Sequence, residues 1–97
     1  MSYRLLSDAP LELQMAVAYY ENIHPDLALE FLEDFEGTIR NVVSFPEAWT
    51  KVSIALRRCL FKKFPHAILY TSQSGTVIVA AVMHLHKNTE KFFRDYS

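Results

Sequence analysis

Residues 52–84 read VSIALRRCLFKKFPHAILYTSQSGTVIVAAVMH, and this stretch decides the fold because its apolar residues follow the period of strands. Val52 to Phe61 reads as a long strand, Ala67 to Thr71 as a second and Val77 to His84 as a third. Lys62 to His66 and Ser72 to Thr76 are the connections. Ser74-Gly75 suits a tight hairpin loop, since glycine takes the positive φ such loops require. Three consecutive strands with short links predict an antiparallel meander.

Upstream the period is helical. Leu13, Ala16, Val17, Tyr20 and Ile23 recur on one face after Pro10, with Ser7 and Asp8 as N-cap candidates, so a first helix is predicted over about residues 10–23. Pro25 ends it and opens a second helix to about Ser44, whose stripe is Leu27, Phe31, Phe35, Ile39 and Val42/Val43. Asp26, Glu30, Glu33, Asp34 and Glu36 are expected off that stripe, facing solvent. Ser2 to Leu6 reads as an opening strand, and Asn88 to Tyr96 as a short terminal helix that returns Phe92 and Phe93 to the core. The predicted class is α+β, in the order β-α-α-β-β-β. A two-helix hairpin packs on one face of a mainly antiparallel four-stranded sheet and leaves the other face partly open.

The length of 97 residues allows a single domain, spanning 1–97, and excludes a two-domain enzyme. With 51% hydrophobic residues and thirteen aromatics the chain can build a core without staples. Its one cysteine, Cys59, forms no internal disulfide, and no Cys/His spacing offers a zinc site. The first ten residues lack the basic and apolar regions of a secretory signal, and the longest apolar run is broken by 71–76, which is turn chemistry. A cytoplasmic protein with no membrane partner and no cofactor is expected.

The net charge of −1 conceals an asymmetry. Residues 1–47 carry nine acids against Arg4 and Arg40, whereas 48–89 carry six Lys or Arg and no acid. A solubilising surface normally mixes signs, so forty-two residues without one carboxylate point to a polyanion or an acidic partner as readily as to a solvated face.

Strand parity divides the arginine pair. Arg58 shares its face with Ile54, Leu56 and Leu60, an apolar set expected to meet the helices, where Arg58 would lie near the strand end, snorkel or, as the favoured reading, pair with a helix acid. Arg57 is then the cation of the open face. His84 and His86, at i, i+2 spacing, are expected on one face. Two imidazoles without a third ligand do not make a metal site. Set beside Arg57, His84 has the chemistry of a general acid/base on a phosphodiester, with the guanidinium stabilising the developing charge; two exposed strand-end histidines without chemistry are the plainer alternative. Tyr70, in the middle strand, is either core or a stacking platform. Phosphate-loop, metalloprotease and serine-hydrolase signatures are absent, and Cys59 among apolar neighbours is a poor nucleophile.

Arg57-Arg58-Cys59-Leu60-Phe61-Lys62-Lys63-Phe64-Pro65-His66, then Ile68-Leu69-Tyr70, then Val77 to His84, resembles the RelE/ParE superfamily of bacterial toxins, the plasmid stabilisation proteins. Upstream, Ala18-Tyr19-Tyr20-Glu21 and the Phe31-Leu32 helix are similar to that family's two helices, so the resemblance covers nearly the whole chain. The chain departs from the family pattern at His66, where tyrosine is usual, and at Lys87 and Thr89, where arginine and proline are usual.

The resemblance implies a growth-inhibiting toxin of a type II toxin–antitoxin module, neutralised by a cognate antitoxin protein that lies across the basic sheet region. The expected assembly is a homodimer or a toxin–antitoxin hetero-oligomer. The target is DNA gyrase, towards which the Phe-Pro pattern leans, or ribosome-bound mRNA, in which case the chain is an endoribonuclease. A non-toxic structural or adaptor domain is the third reading. The residues this implies for the site are Arg57 and His84 for catalysis, and Arg57, Arg58, Lys62, Lys63, Tyr70, His86 and Lys87 for target or antitoxin binding.

Overall fold

A computed structural model describes residues 2–6 and 8–86. The Ser7 cap, Lys87 and the terminal helix expected over Asn88 to Tyr96 lie outside the described residues. The elements are β1 (Ser2–Leu5), α1 (Ala9–Ile23), α2 (Pro25–Ser44), β2 (Thr50–Lys51), β3 (Arg57–Leu60), β4 (His66–Gln73) and β5 (Thr76–His84). The α+β class and the order of helices and strands are as expected, but the sheet has five strands, in the order β1-β5-β4-β3-β2. β1 pairs parallel with β5 and every other pairing is antiparallel.

A single extended residue, His24, separates the helices, and its Nδ1 accepts the Asp26 amide at 3.1 Å, capping α2. Asp8 occupies the cap position of α1 without a side-chain cap bond. The apolar stripe of α2 is buried as its periodicity requires, with Phe31, Phe35, Ile39 and Val42 in the core. These side chains meet Cys59, Phe61, Ile68, Tyr70, Val77, Val79 and Val82 from the sheet. An aromatic group fixes the packing: the Phe31 ring stacks on Tyr20 at 5.2 Å and on Phe61 at 5.4 Å.

Ser74 and Gly75 both adopt positive φ, 50° and 80°, in the two-residue loop joining β4 to β5. Those angles match the twist of the flanking strands. A register shift opposite Leu69/Tyr70 makes Ala80 an extra residue on β5. It lets Val77, Val79 and Val82 all face the helices, while Ala81 and Met83 join Ala67 and Leu69 on the opposite face.

The strand expected over Val52 to Phe61 is two short strands around a turn. Val52 and Ser53 amides both donate to the Leu56 carbonyl, and Ser53 Oγ accepts the Ala55 and Leu56 amides. Ile54 is therefore a turn tip, 100% exposed, not a core residue. The parity drawn from it reverses: Cys59 and Phe61 are buried under the helices, while Leu60 is 51% exposed on the other face. Arg57 thus lies on the helix-covered side and Arg58 on the opposite one, the reverse of expectation.

Candidate functional site

The expected site residues separate into groups along the sheet. At one end, β2 and β3 bring Arg57 against the α2–β2 connection, where its Nη1 donates to the Trp49 carbonyl at 2.8 Å. Its Cα partner across the ladder is Tyr70, which is fully buried, so Tyr70 is a core residue and offers no stacking platform. The Tyr70 hydroxyl donates to the Pro46 carbonyl at 2.6 Å. Burial pushes the Tyr70 phenol up to about 12, opposed by the Arg57 charge. Arg57, Lys51, Glu47 and Thr71 border a cleft of about 230 Å³ there.

Arg58, partner of Leu69 on the far face, keeps its Nε buried without a hydrogen-bond partner. Among the described residues it forms no ion pair with a helix acid, because the reversed parity turns it away from both helices.

At the other end of the sheet the Lys62–Pro65 turn leads into β4. Its geometry is imposed by Asp34, which the helical pattern assigned to solvent but which is buried. Asp34 Oδ1 accepts the Lys62 amide at 3.0 Å, and Oδ2 accepts the Lys63 and Phe64 amides at 2.8 and 3.0 Å. Three amides converging on one carboxylate leave the Lys62 and Lys63 side chains projecting outward, both exposed. Asp34, Glu30, Glu33, Arg40, Lys62 and Lys63 border a cleft of about 320 Å³. Acids of α2 and the lysines of the turn thus border one cleft.

The same end holds the imidazoles. His66 and His84 are Cα partners with ring centroids 4.9 Å apart, and the His84 and His86 rings lie 5.7 Å apart. His66 Nε2 shares a hydrogen bond of 3.0 Å with the buried Tyr20 hydroxyl, and Phe31, Phe61 and Phe64 surround that pair. His84 Nδ1 accepts the His86 amide at 3.1 Å; His84 ends β5 and His86 lies in the turn beyond it, so the two rings are neighbours without sharing a strand face. His66 is the contact that residue spacing missed, and its position directly after Phe64-Pro65 was the available signal.

The sheet does not bring Arg57 to His84. Arg57 pairs with Tyr70, four residues along β4 from His66, the partner of His84. At about 3.3 Å per residue and about 4.8 Å per strand, the two Cα atoms lie about 16 Å apart. Among the described residues, Lys62 and Lys63, not Arg57, are the cations near the imidazole end. Cys59 is buried and its thiol is pushed up to about 11 by burial, so it stays protonated at neutral pH and is no nucleophile. Among the described residues no helix is long and apolar enough to cross a membrane, and no cluster of metal ligands occurs.

No family model matches the chain, and no curated protein matches it by sequence. Its fold is similar to a chain of the solved structure titled "Chromosomal ParDE TA system from P. aeruginosa", with a TM-score of 0.68 and 13% identity. The match covers 88% of this chain and 96% of that one.

Proposed function

We propose that this chain is the toxin of a type II toxin–antitoxin module, of the ParE-like kind that inhibits DNA gyrase and is neutralised by a cognate antitoxin. The observation that carries the reading is the shared fold: a solved chain from a ParDE toxin–antitoxin system matches nearly end to end. The arrangement of cations supports binding over catalysis. The guanidinium best suited to a phosphorane, Arg57, is tied to the Trp49 carbonyl at the end of the sheet away from His84. A protein that blocks its target by contact requires no general base.

One arrangement favours the second reading, a ribosome-dependent mRNA endoribonuclease. Lys62 and Lys63 lie at the same end as His66, His84 and His86, which puts a base and cations together without Arg57.

Induction without the antitoxin tests both. The gyrase reading expects growth arrest with filamentation and intact transcripts, loss of supercoiling by purified gyrase, and toxicity that survives His84→Ala. The endoribonuclease reading expects cut transcripts and a cleavage rate that His84→Ala lowers by about 10²–10⁴. Absence of toxicity and of antitoxin binding in the folded protein would overturn both in favour of an adaptor domain.

A further inference from the structure

Gly37 stands where packing within the chain gives no reason for a glycine. It lies in the interior of α2, where glycine weakens a helix relative to alanine. Among the described residues a β-carbon built on it would meet Arg40 Nη2 at 3.6 Å, an ordinary contact with the end of a flexible side chain. What the missing side chain does is deepen the cleft of about 320 Å³ between α2 and the Lys62–Phe64 turn, which Gly37 lines. The border of that cleft is divided by charge. Glu30 and Glu33 precede Gly37 along α2, Arg40 follows it, and Lys62 and Lys63 border the cleft from the turn. Among the described residues none of these three cations forms an ion pair. Glu36 stands four residues before Arg40, the spacing at which helix acids and bases pair, yet the guanidinium lies over Gly37 instead. Asp34 contributes its charge to the three amides it accepts, which fixes the backbone that carries both lysines.

We propose that this cleft binds a guanosine phosphate, with the phosphate on Arg40, Lys62 and Lys63 and the guanine on Glu33 and Glu30. A guanidinium offers paired N–H donors that match two phosphate oxygens, and the lysines add point charges. Two carboxylates bordering the same space repel a bare polyanion, so a ligand that fits must also bring donors to them. The guanine edge carries an imino N–H and an amino group side by side, which match the two oxygens of one carboxylate; adenine and cytosine set an acceptor beside their amino group, and uracil has no amino group. Glu33 and Arg40 are seven residues apart, about 10 Å along the helix axis, a span that a nucleotide bridges from phosphate to base edge. With no side chain at Gly37 the sugar can lie against the backbone of α2. Neither gyrase inhibition nor mRNA cleavage requires such a ligand, so the cleft is a site of its own.

Titration of the isolated chain with guanosine monophosphate, followed through amide NMR shifts, tests this. Saturable shifts are expected at Gly37, Asn41 and the Lys62–Phe64 amides, with a Kd of about 100 µM for so open a site. Inosine monophosphate, which lacks the amino group, should bind about tenfold more weakly, and inorganic phosphate more weakly still. Arg40→Ala should weaken both nucleotides by at least about tenfold, whereas Glu30→Gln with Glu33→Gln should abolish the preference for guanine. Gly37→Ala separates a ligand site from a structural role: the thermal midpoint should rise by about 3–6 °C while affinity for guanosine monophosphate falls at least about fivefold. A short single-stranded RNA holding one guanine, compared with the mononucleotide, identifies the source of the ligand by which of the two binds more tightly. No saturable shift up to about 5 mM, equal binding of the two monophosphates, or undiminished affinity in a stabilised Gly37→Ala chain overturns the proposal.

Discussion

Asp34 shows how a single carboxylate can set the shape of a surface turn. Its two oxygens receive three consecutive amides from the chain 28 to 30 residues further on, locking the Lys62–Phe64 turn onto α2. Charge-assisted bonds of this kind contribute more than neutral ones, and the amides lose them together when the carboxylate is removed. Asp34→Ala should therefore cost about 2–4 kcal/mol in denaturant unfolding, softened by water reaching the exposed lysine backbone. Asp34→Asn, which keeps one acceptor oxygen, should cost about half as much. A loss below about 0.5 kcal/mol for the alanine variant would mean that the turn holds its own geometry.

At the scale of elements, β5 shows how an edge is closed by different means along its length. β1 pairs with Thr76 to Val79, and where β1 ends, Glu12 of α1 continues the edge by accepting the Val82 amide. Partial burial raises the Glu12 acid above its ordinary 4.5, with the Val82 hydrogen bond opposing and Asp8 adding to the rise. The folded chain then binds more protons than the unfolded one between the ordinary and the raised value, so the contribution to stability is full below 4.5 and is lost as pH rises through that window. Glu12→Gln keeps an oxygen acceptor for Val82 and cannot ionise. Its unfolding free energy should change less between about pH 4 and pH 7 than that of the parent, and an identical profile would show that Glu12 does not set the slope.

For the whole molecule the division of charge has a measurable consequence. The acidic helices and the basic sheet are adjacent layers, and around the Asp34 cleft Glu30 and Glu33 border the same space as Lys62 and Lys63. An acidic antitoxin segment would meet a field already reduced there but less reduced around Arg57 and Lys51. Its affinity should fall about tenfold between 0.05 and 0.5 M salt, mainly through slower association. Affinity independent of salt would assign the contact to apolar anchors such as the exposed Leu29 or Phe45.

The succession of one strand, two helices and then strands, the breaks at Pro25 and Ser74-Gly75 and the buried stripe of α2 were legible in the sequence by itself, because periodicity and backbone-restricted residues act locally. The short range of those signals also explains what was not legible. Nothing local distinguished Arg57 from Arg58, since the turn at 53–56 converts Ile54 from core to tip and reverses the parity that depended on it. Asp34 looked like any exposed helix acid until the turn at 62–64 arrived from the other end of the chain. Arg57 and His84 belonged to one site only while their strands were unpaired, and the register that ties Arg57 to Tyr70 and His84 to His66 sets them at opposite ends of the sheet. Which face a side chain takes and which residues share an end are decided by hydrogen-bonded register between distant segments, a property that tertiary structure alone holds.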